Sequence, residues 1–310
     1  MKDERPAAEF SVVIPTYNRA ETMMLAIQSV LEQSFERFEL IVVDDGSTDR
    51  GATRTAVEAL DDDRVRYVRK NNGGQSSARN LGAGCGSGRW IVFLDSDDMS
   101  LPGWLEGLSA RTGDDEVGVV CCGLTLSFDD GRVQSMVPRP LGPLFDNVTG
   151  LFQAGTFAIR RDLYEVTGGF DESLQCIPNT ELALRLIEAC ATAGLKVASV
   201  PEELIRVNRD TGTTRVDRYS AARYDSTTYI LRRYSDRFRR DPVEHANYLG
   251  VLGFCAAQMG RYGEARRAFA KGIRANPSNA KNYLRLLVAL NPRLGRRAWS
   301  LAATRRNRTT

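Results

Sequence analysis

Trp90-Ile91-Val92-Phe93-Leu94-Asp95-Ser96-Asp97-Asp98 is the stretch that decides how this chain folds. Five apolar residues in a row read as a strand buried on both faces, and the run then stops in acid. Carboxylates at a strand end project into the crevice beyond the sheet edge. Three of them within four positions repel one another, so a cationic species is expected to gather them. A Mg²⁺ or Mn²⁺ ion carrying a phosphate fits, because hard cations take oxygen ligands and leave positions for substrate phosphates. A charged turn capping the next helix is the alternative for these acids alone.

Upstream, the chain alternates. Phe10–Pro15 reads as a buried first strand and Phe38–Val43 as a second, ending at Asp44-Asp45-Gly46. Ala20–Gln33 carries Met24, Ile27, Val30 and Leu31 at helical spacing. A helix over Ala52–Leu60, a strand at Val65–Val68 and a helix over Gln75–Gly84 follow. Strand and helix alternate four times, which predicts an α/β fold with a mainly parallel sheet flanked by helices. Ligands then belong at the carboxyl ends of the strands. Pro15-Thr16-Tyr17-Asn18, Asp44-Asp45 and Asp95-Ser96-Asp97 all fall there. Gly82, Gly84, Gly86 and Gly88 imitate a dinucleotide loop, but they follow a helix and precede a strand, the wrong order for that motif.

After Asp98 the pattern loosens. Val117–Leu126 and Val133–Val137 flank Asp129-Asp130-Gly131, a hairpin signal. Phe157–Ile159 reads as a strand, and Arg161–Val166 and Glu181–Ala193 as helices. We read residues 1–215 as one domain and 216–310 as a helical region. Within the latter, Leu252-Gly253, Gly260, Tyr262, Ala265, Phe269 and Pro277 stand at tetratricopeptide offsets, spanning about residues 246–290. Gly272 occupies a place usually held by alanine. A single repeat cannot bury its own apolar face, which implies packing on the preceding domain or on a protein partner.

Charge is uneven. Residues 261–310 hold 13 Lys/Arg against Glu264 alone, whereas the first 260 residues carry a net −9. Pro292–Arg308 mixes Leu294, Trp299 and Leu301 with six arginines, a basic amphipathic pattern suited to a membrane surface. A solvated Arg-rich end is the alternative, and we expect no nucleic-acid partner. No run of 18 apolar residues occurs, and we expect neither a signal peptide nor a spanning helix. The six cysteines lack metal-ligand spacing and read as reduced core thiols. A cytoplasmic protein, peripheral at the inner membrane face, is the expectation.

Residues 12–49, VVIPTYNRAETMMLAIQSVLEQSFERFELIVVDDGSTD, and 71–98, NNGGQSSARNLGAGCGSGRWIVFLDSDD, closely resemble the family 2 glycosyltransferases of GT-A fold. The resemblance covers roughly residues 9–210. It implies a nucleoside-diphosphate sugar donor (UDP or dTDP), a divalent Mg²⁺ or Mn²⁺ ion and inversion at the anomeric carbon. A glycan or lipid-linked acceptor in surface polysaccharide synthesis follows from the family's breadth. In those roles Tyr17 offers a flat face to a pyrimidine. Asp44 would accept the base imide N–H, while Asp45 supports the turn. Gly73-Gly74 lets backbone approach the ligand, and Arg79 reaches base or phosphates with a planar fork. The resemblance assigns Asp95 to the ribose and Asp97 to the metal. Pro15, Thr16, Asn18 and Ser96 complete the candidate donor site.

One departure stands out. The family's catalytic base is the Asp of a Glu-Asp pair downstream of Gly-Gly-Phe-Asp-Glu, here Gly168–Glu172, and that pair falls on Pro178-Asn179. A neutral amide is no base, and losing one costs about 10²–10⁴ in rate. Glu181 is the first substitute, although it lies about 200° round a helix from Asn179. Asp171 or Glu172 is another. A degenerate nucleotide-sugar-binding protein acting through its helical repeat is the third. The family's later His is also absent, since the equivalent stretch reads Val207-Asn208-Arg209-Asp210.

Overall fold

A computed structural model describes residues 7–209 and 216–290. The chain divides into two compact units. The first comprises the chain up to Leu141, Val148–Ser173 and Pro178–Arg209. Its strands are β1 (Phe10–Thr16), β2 (Phe38–Asp44), β3 (Val65–Arg69), β4 (Trp90–Phe93), β5 (Met99–Ser100), β6 (Val117–Phe128), β7 (Val133–Met136), β8 (Arg139–Pro140), β9 (Thr149–Gly150), β10 (Phe157–Arg160) and β11 (Lys196–Arg209). Its helices are α1 (Ala20–Leu31), α2 (Ala52–Glu58), α3 (Gln75–Cys85), α4 (Trp104–Thr112), α5 (Arg161–Thr167) and α6 (Pro178–Ala193).

The main sheet runs β3-β2-β1-β4-β10-β6-β11-β5, with β7 paired to β6. Strands β1 to β4 are parallel, as the alternation required. Beyond β4 the sheet is mixed: β10 is antiparallel to both neighbours, and β11 is parallel to β6. Odd and even residues of the central strands feed two cores. Val12, Ile14, Leu40, Val42 and Val92 pack with Met23 and Ile27 of α1. Val13, Ile41, Val43, Ile91 and Phe93 pack with Ala78 of α3 and Leu182 of α6. That is why these strands read as unbroken apolar runs.

Gly82 settles the decoy. A Cβ there would meet Val13 Cγ1 at 2.3 Å, so the glycine lets α3 lie directly on β1. Register lines up the rim: Thr16 stands beside Asp44, and Asp44 beside Arg69.

The two-residue strands β5, β8 and β9 escape the sequence pattern, and so do two longer elements, α4 and β11. α4 lies within a Pro- and Gly-punctuated stretch. β11 carries Pro201-Glu202-Glu203, where its pairing with β6 shifts register. α6 starts at Pro178, three residues before the expected helix, which puts Asn179 in its first turn. All six cysteines are free, and five are buried. Burial pushes the Cys121 thiol up to about 12 and the Cys190 thiol up to about 11.

The second unit holds α7 (Val216–Arg233), α8 (Ser235–Arg240), α9 (Pro242–Gln258), α10 (Tyr262–Ala275) and α11 (Ala280–Leu290), with residues 142–147 and 174–177. Asp241 caps α9 by accepting the Glu244 N–H (3.0 Å), with Pro242 in the first turn. The offsets read as a repeat carry contacts: Gly253 faces the Phe269 ring, and Ala265 and Phe269 are fully buried. Gly272 has its own reason. A Cβ there would meet Asn282 Nδ2 at 2.5 Å, and that buried amide donates to the Ala246 carbonyl (3.0 Å). The basic stretch 292–308 lies outside the described residues. No described helix is long and apolar enough to cross a membrane.

Candidate active site

The loop after β1 is laced to the loop after β2. The Asp45 N–H donates to the Thr16 carbonyl (2.9 Å). The Asn18 N–H donates to Ser47 Oγ (2.9 Å), and Asn18 Oδ1 accepts the Thr48 N–H (2.7 Å). Asn18 has a positive φ of 52°, a conformation asparagine tolerates better than most residues. Tyr17, next to it, is exposed. Pro15 and Ser96 are buried in the frame.

The paired acids at the end of β2 divide their work. Asp44 is fully buried and accepts from the Ser47 N–H (2.7 Å), the Tyr67 hydroxyl (2.6 Å) and Arg69 Nη1 (3.2 Å). It is thus a post joining β2 to β3 before it meets any ligand. Burial, and then the Asp44 carboxylate, push the Tyr67 phenol up to about 12. Asp45 takes Lys70 Nζ (2.9 Å) and the N–H groups of Gly73 (2.9 Å) and Gly74 (2.7 Å). Its carboxylate clamps the glycine loop that opens α3.

At the end of β4, Asp95, Asp97 and Asp98 bring one carboxylate oxygen each within 4.8 Å of one another. Asp95 Oδ1 accepts from Arg79 Nη2 (2.6 Å) and Gln75 Nε2 (2.8 Å), both on α3. Asp97 Oδ2 pairs with Arg19 Nη1 (2.6 Å) from the loop before α1. Asn208 of β11 donates Nδ2 to the Asp97 carbonyl (2.9 Å) and its N–H to Asp98 Oδ1 (3.3 Å). An all-oxygen donor set suits a hard divalent cation, and the two arginines answer the same excess of negative charge.

Arg79 is 1% exposed, lies over the Phe170 ring at 5.0 Å and donates Nη1 to Asn179 Oδ1 (3.2 Å). One guanidinium therefore joins Asp95 to the first turn of α6. Its Nε and Thr16 Oγ1 are buried without a partner among the described residues, two unmet polar atoms at this rim. The neighbouring Asn80 accepts the Phe170 N–H (2.8 Å) and donates to the Phe170 carbonyl (2.9 Å) and to Glu172 Oε1 (2.9 Å).

Glu181, expected as a substitute base, is 1% exposed and gripped by Arg185, whose Nε reaches its two oxygens at 2.9 and 3.0 Å. Arg185 is itself anchored to the Thr167 carbonyl (2.6 Å). This is a buried fork within α6, not an open carboxylate beside Asn179. Asp171 accepts from the Ser173 N–H (3.0 Å) and hydroxyl (2.6 Å). Arg19, Tyr67, Arg69 and Gln75 carry no local mark of their place at this rim, and Asn208 is marked only as part of the stretch where the family's histidine is absent. Only the Glu181–Arg185 pairing left a signal in the sequence, the i,i+4 spacing of opposite charges.

With this geometry in view, the sequence model of glycosyl transferase family 2 matches residues 11–168, just over half of the chain. The chain belongs to that family. Its Asp95-Ser96-Asp97 is the Asp-x-Asp motif of the β4 end. Similar proteins include the succinoglycan biosynthesis protein ExoO of Rhizobium meliloti, 39% identical over 131 residues, 42% of this chain and 36% of that protein. Glycosyltransferase GlyG of Streptococcus pneumoniae is 33% identical over 111 residues, 36% of this chain and 37% of that protein. The matches span between 14% and 38% of these and similar curated relatives' own lengths. Among solved structures, S. aureus TarS 1–349 superposes with a TM-score of 0.59 at 18% identity, covering 94% of this chain and 92% of that one. Mannosyltransferase PcManGT from Pyrobaculum calidifontis, in complex with GDP-Man and Mn²⁺, does so with 0.58 at 20% identity, covering 98% and 88%. Both likenesses speak for the family's GT-A fold.

Proposed function

We propose that this chain moves a sugar, with inversion, from a UDP- or dTDP-sugar to a hydroxyl acceptor in glycan or surface polysaccharide synthesis. The observation that carries this reading is the gathering of Asp95, Asp97 and Asp98 beside Arg79 and Arg19 at the carboxyl end of β4. Tyr17 stacks on the base, and Asp44 faces it across the rim held by Tyr67 and Arg69. The Gly73-Gly74 backbone, fixed by Asp45, borders the donor, and Asp95 holds the ribose with Arg79 behind it. Asp97, with Asp95 and Asp98 beside it, would hold Mg²⁺ or Mn²⁺, which when bound offsets charge on the leaving diphosphate. Two structures of similar fold support the donor class, S. aureus TarS 1–349 with UDP-GlcNAc and PcManGT with GDP-Man and Mn²⁺. A lipid-linked acceptor would suit the basic stretch and a protein at the inner membrane face. Thermal-shift titration with UDP and Mn²⁺ tests the donor; no shift with any nucleoside diphosphate would sink the reading.

Asn179 favours a second reading, a nucleotide-sugar-binding protein that recruits partners through its helical repeat. The amide serves Arg79 and takes no proton at neutral pH. Donor hydrolysis and transfer assays separate the two: tight donor binding with no sugar release supports the second.

A further inference from the structure

The three carboxylates at the β4 end are not equivalent, and the difference bears on how the proposed cation and diphosphate would enter. Asp95 is tied to Arg79, which is 1% exposed, stacked on Phe170 and bonded to Asn179, a fixture of the frame. Asp98 is buried and accepts a backbone N–H from β11. Asp97 is different. Its side chain is 40% exposed, and it is paired with Arg19, itself 32% exposed, at 2.6 Å.

Arg19 has a light structural role. It precedes α1 and makes no side-chain cap. The helix uses its backbone carbonyl, which accepts the Met23 N–H (3.0 Å) and the Thr22 hydroxyl (3.4 Å). A half-exposed pair on a flexible side chain is weak and readily exchanged.

We propose that Arg19 is a tethered counter-cation that a divalent ion must displace from Asp97, and that it thereby couples binding of the ion to binding of the donor diphosphate. This rests on the reading of the β4 end as a cation and diphosphate site. Two cations on one carboxylate repel, so an ion arriving alone expels the guanidinium into water. When a diphosphate arrives as well, the expelled guanidinium finds a new anion within reach of the β1 end, one that suits its planar fork. Each ligand then raises the other's affinity, and linkage makes the gain reciprocal.

The test is Mn²⁺ binding to the full chain, followed by electron paramagnetic resonance of the free ion, with and without UDP. Wild type, Arg19→Gln and Asp97→Asn are compared. Arg19→Gln is expected to bind Mn²⁺ alone about fivefold more tightly, the scale of one exposed ion pair. The factor by which UDP tightens Mn²⁺ binding is expected to shrink correspondingly. Equal or weaker Mn²⁺ affinity in Arg19→Gln, with Asp97→Asn having lost it, overturns the role of Arg19 and leaves the site standing. Tighter Mn²⁺ binding with an unchanged UDP factor overturns the coupling. Wild-type Mn²⁺ affinity in Asp97→Asn overturns the cation site itself.

Discussion

The rim of the parallel sheet and the α9–α11 helices solve opposite problems. At the rim, like charges are held together by cations and amides drawn from β3, α3, β11 and the loop before α1. In the helices, backbones are drawn close by removing side chains: Gly250 and Gly272 leave room for the single buried Asn282. The first arrangement spends conformational freedom to concentrate charge, which aids ligand binding more than stability. The second makes shape complementarity do the stabilising. Substitutions should therefore separate binding from stability along this line.

The largest expected effect is at Asp97. Asp97→Ala should abolish Mn²⁺-dependent UDP binding, a loss of about 10²-fold or more, since coordination fails without its ligands. The unfolding midpoint should hardly move; calorimetry that shows a large drop would break the contrast. Next comes Asn179→Asp. An ionised carboxylate on Arg79 should raise transfer by up to about 10²-fold if the missing base is what limits turnover. Unchanged steady-state rates would instead favour the binding-protein reading. In the helices, Gly272→Ala should cost about 1–3 kcal/mol through the clash with Asn282. Urea unfolding would measure it, and UDP affinity should stay as it was.

The smallest effect is in pH. Tyr67 is raised in the fold to about 12. Its stabilising share is present below the ordinary phenol value near 10 and is lost as pH climbs from there through about 12, because the unfolded chain ionises first. His245 lies on α9, and burial, with Lys271 nearby, lowers its pKa. Its share is present above the ordinary histidine value and is lost as pH falls through the lowered one. Tyr67→Phe should flatten the alkaline limb and His245→Gln the acid limb. A single variant that flattens both would show that the two regions do not respond separately.

Much of the parallel half was legible because strands covered on both faces cannot alternate. Phe10–Thr16, Phe38–Asp44 and Trp90–Phe93 announce themselves as apolar runs, each closing on a polar end that is acidic in the last two. β11 was illegible because Pro201 and two glutamates interrupt it where the register shifts. Arg19 and Asp97 lie 78 positions apart, and no local periodicity links them. The sequence shows Asp44 as a bare acid at a strand end, and only the fold supplies its partners Ser47, Tyr67 and Arg69. Side-chain partners across a sheet are set by tertiary register, which composition does not encode.

Asn80 follows Arg79 on α3, and its amide holds both the N–H and the carbonyl of Phe170. Helix and loop are thereby geared. Two consecutive side chains of one helix thus pin the same stretch twice, Arg79 against the Phe170 ring and Asn80 on its backbone, so a shift in the pitch or position of α3 would be felt at once by the Gly169-Phe170 turn.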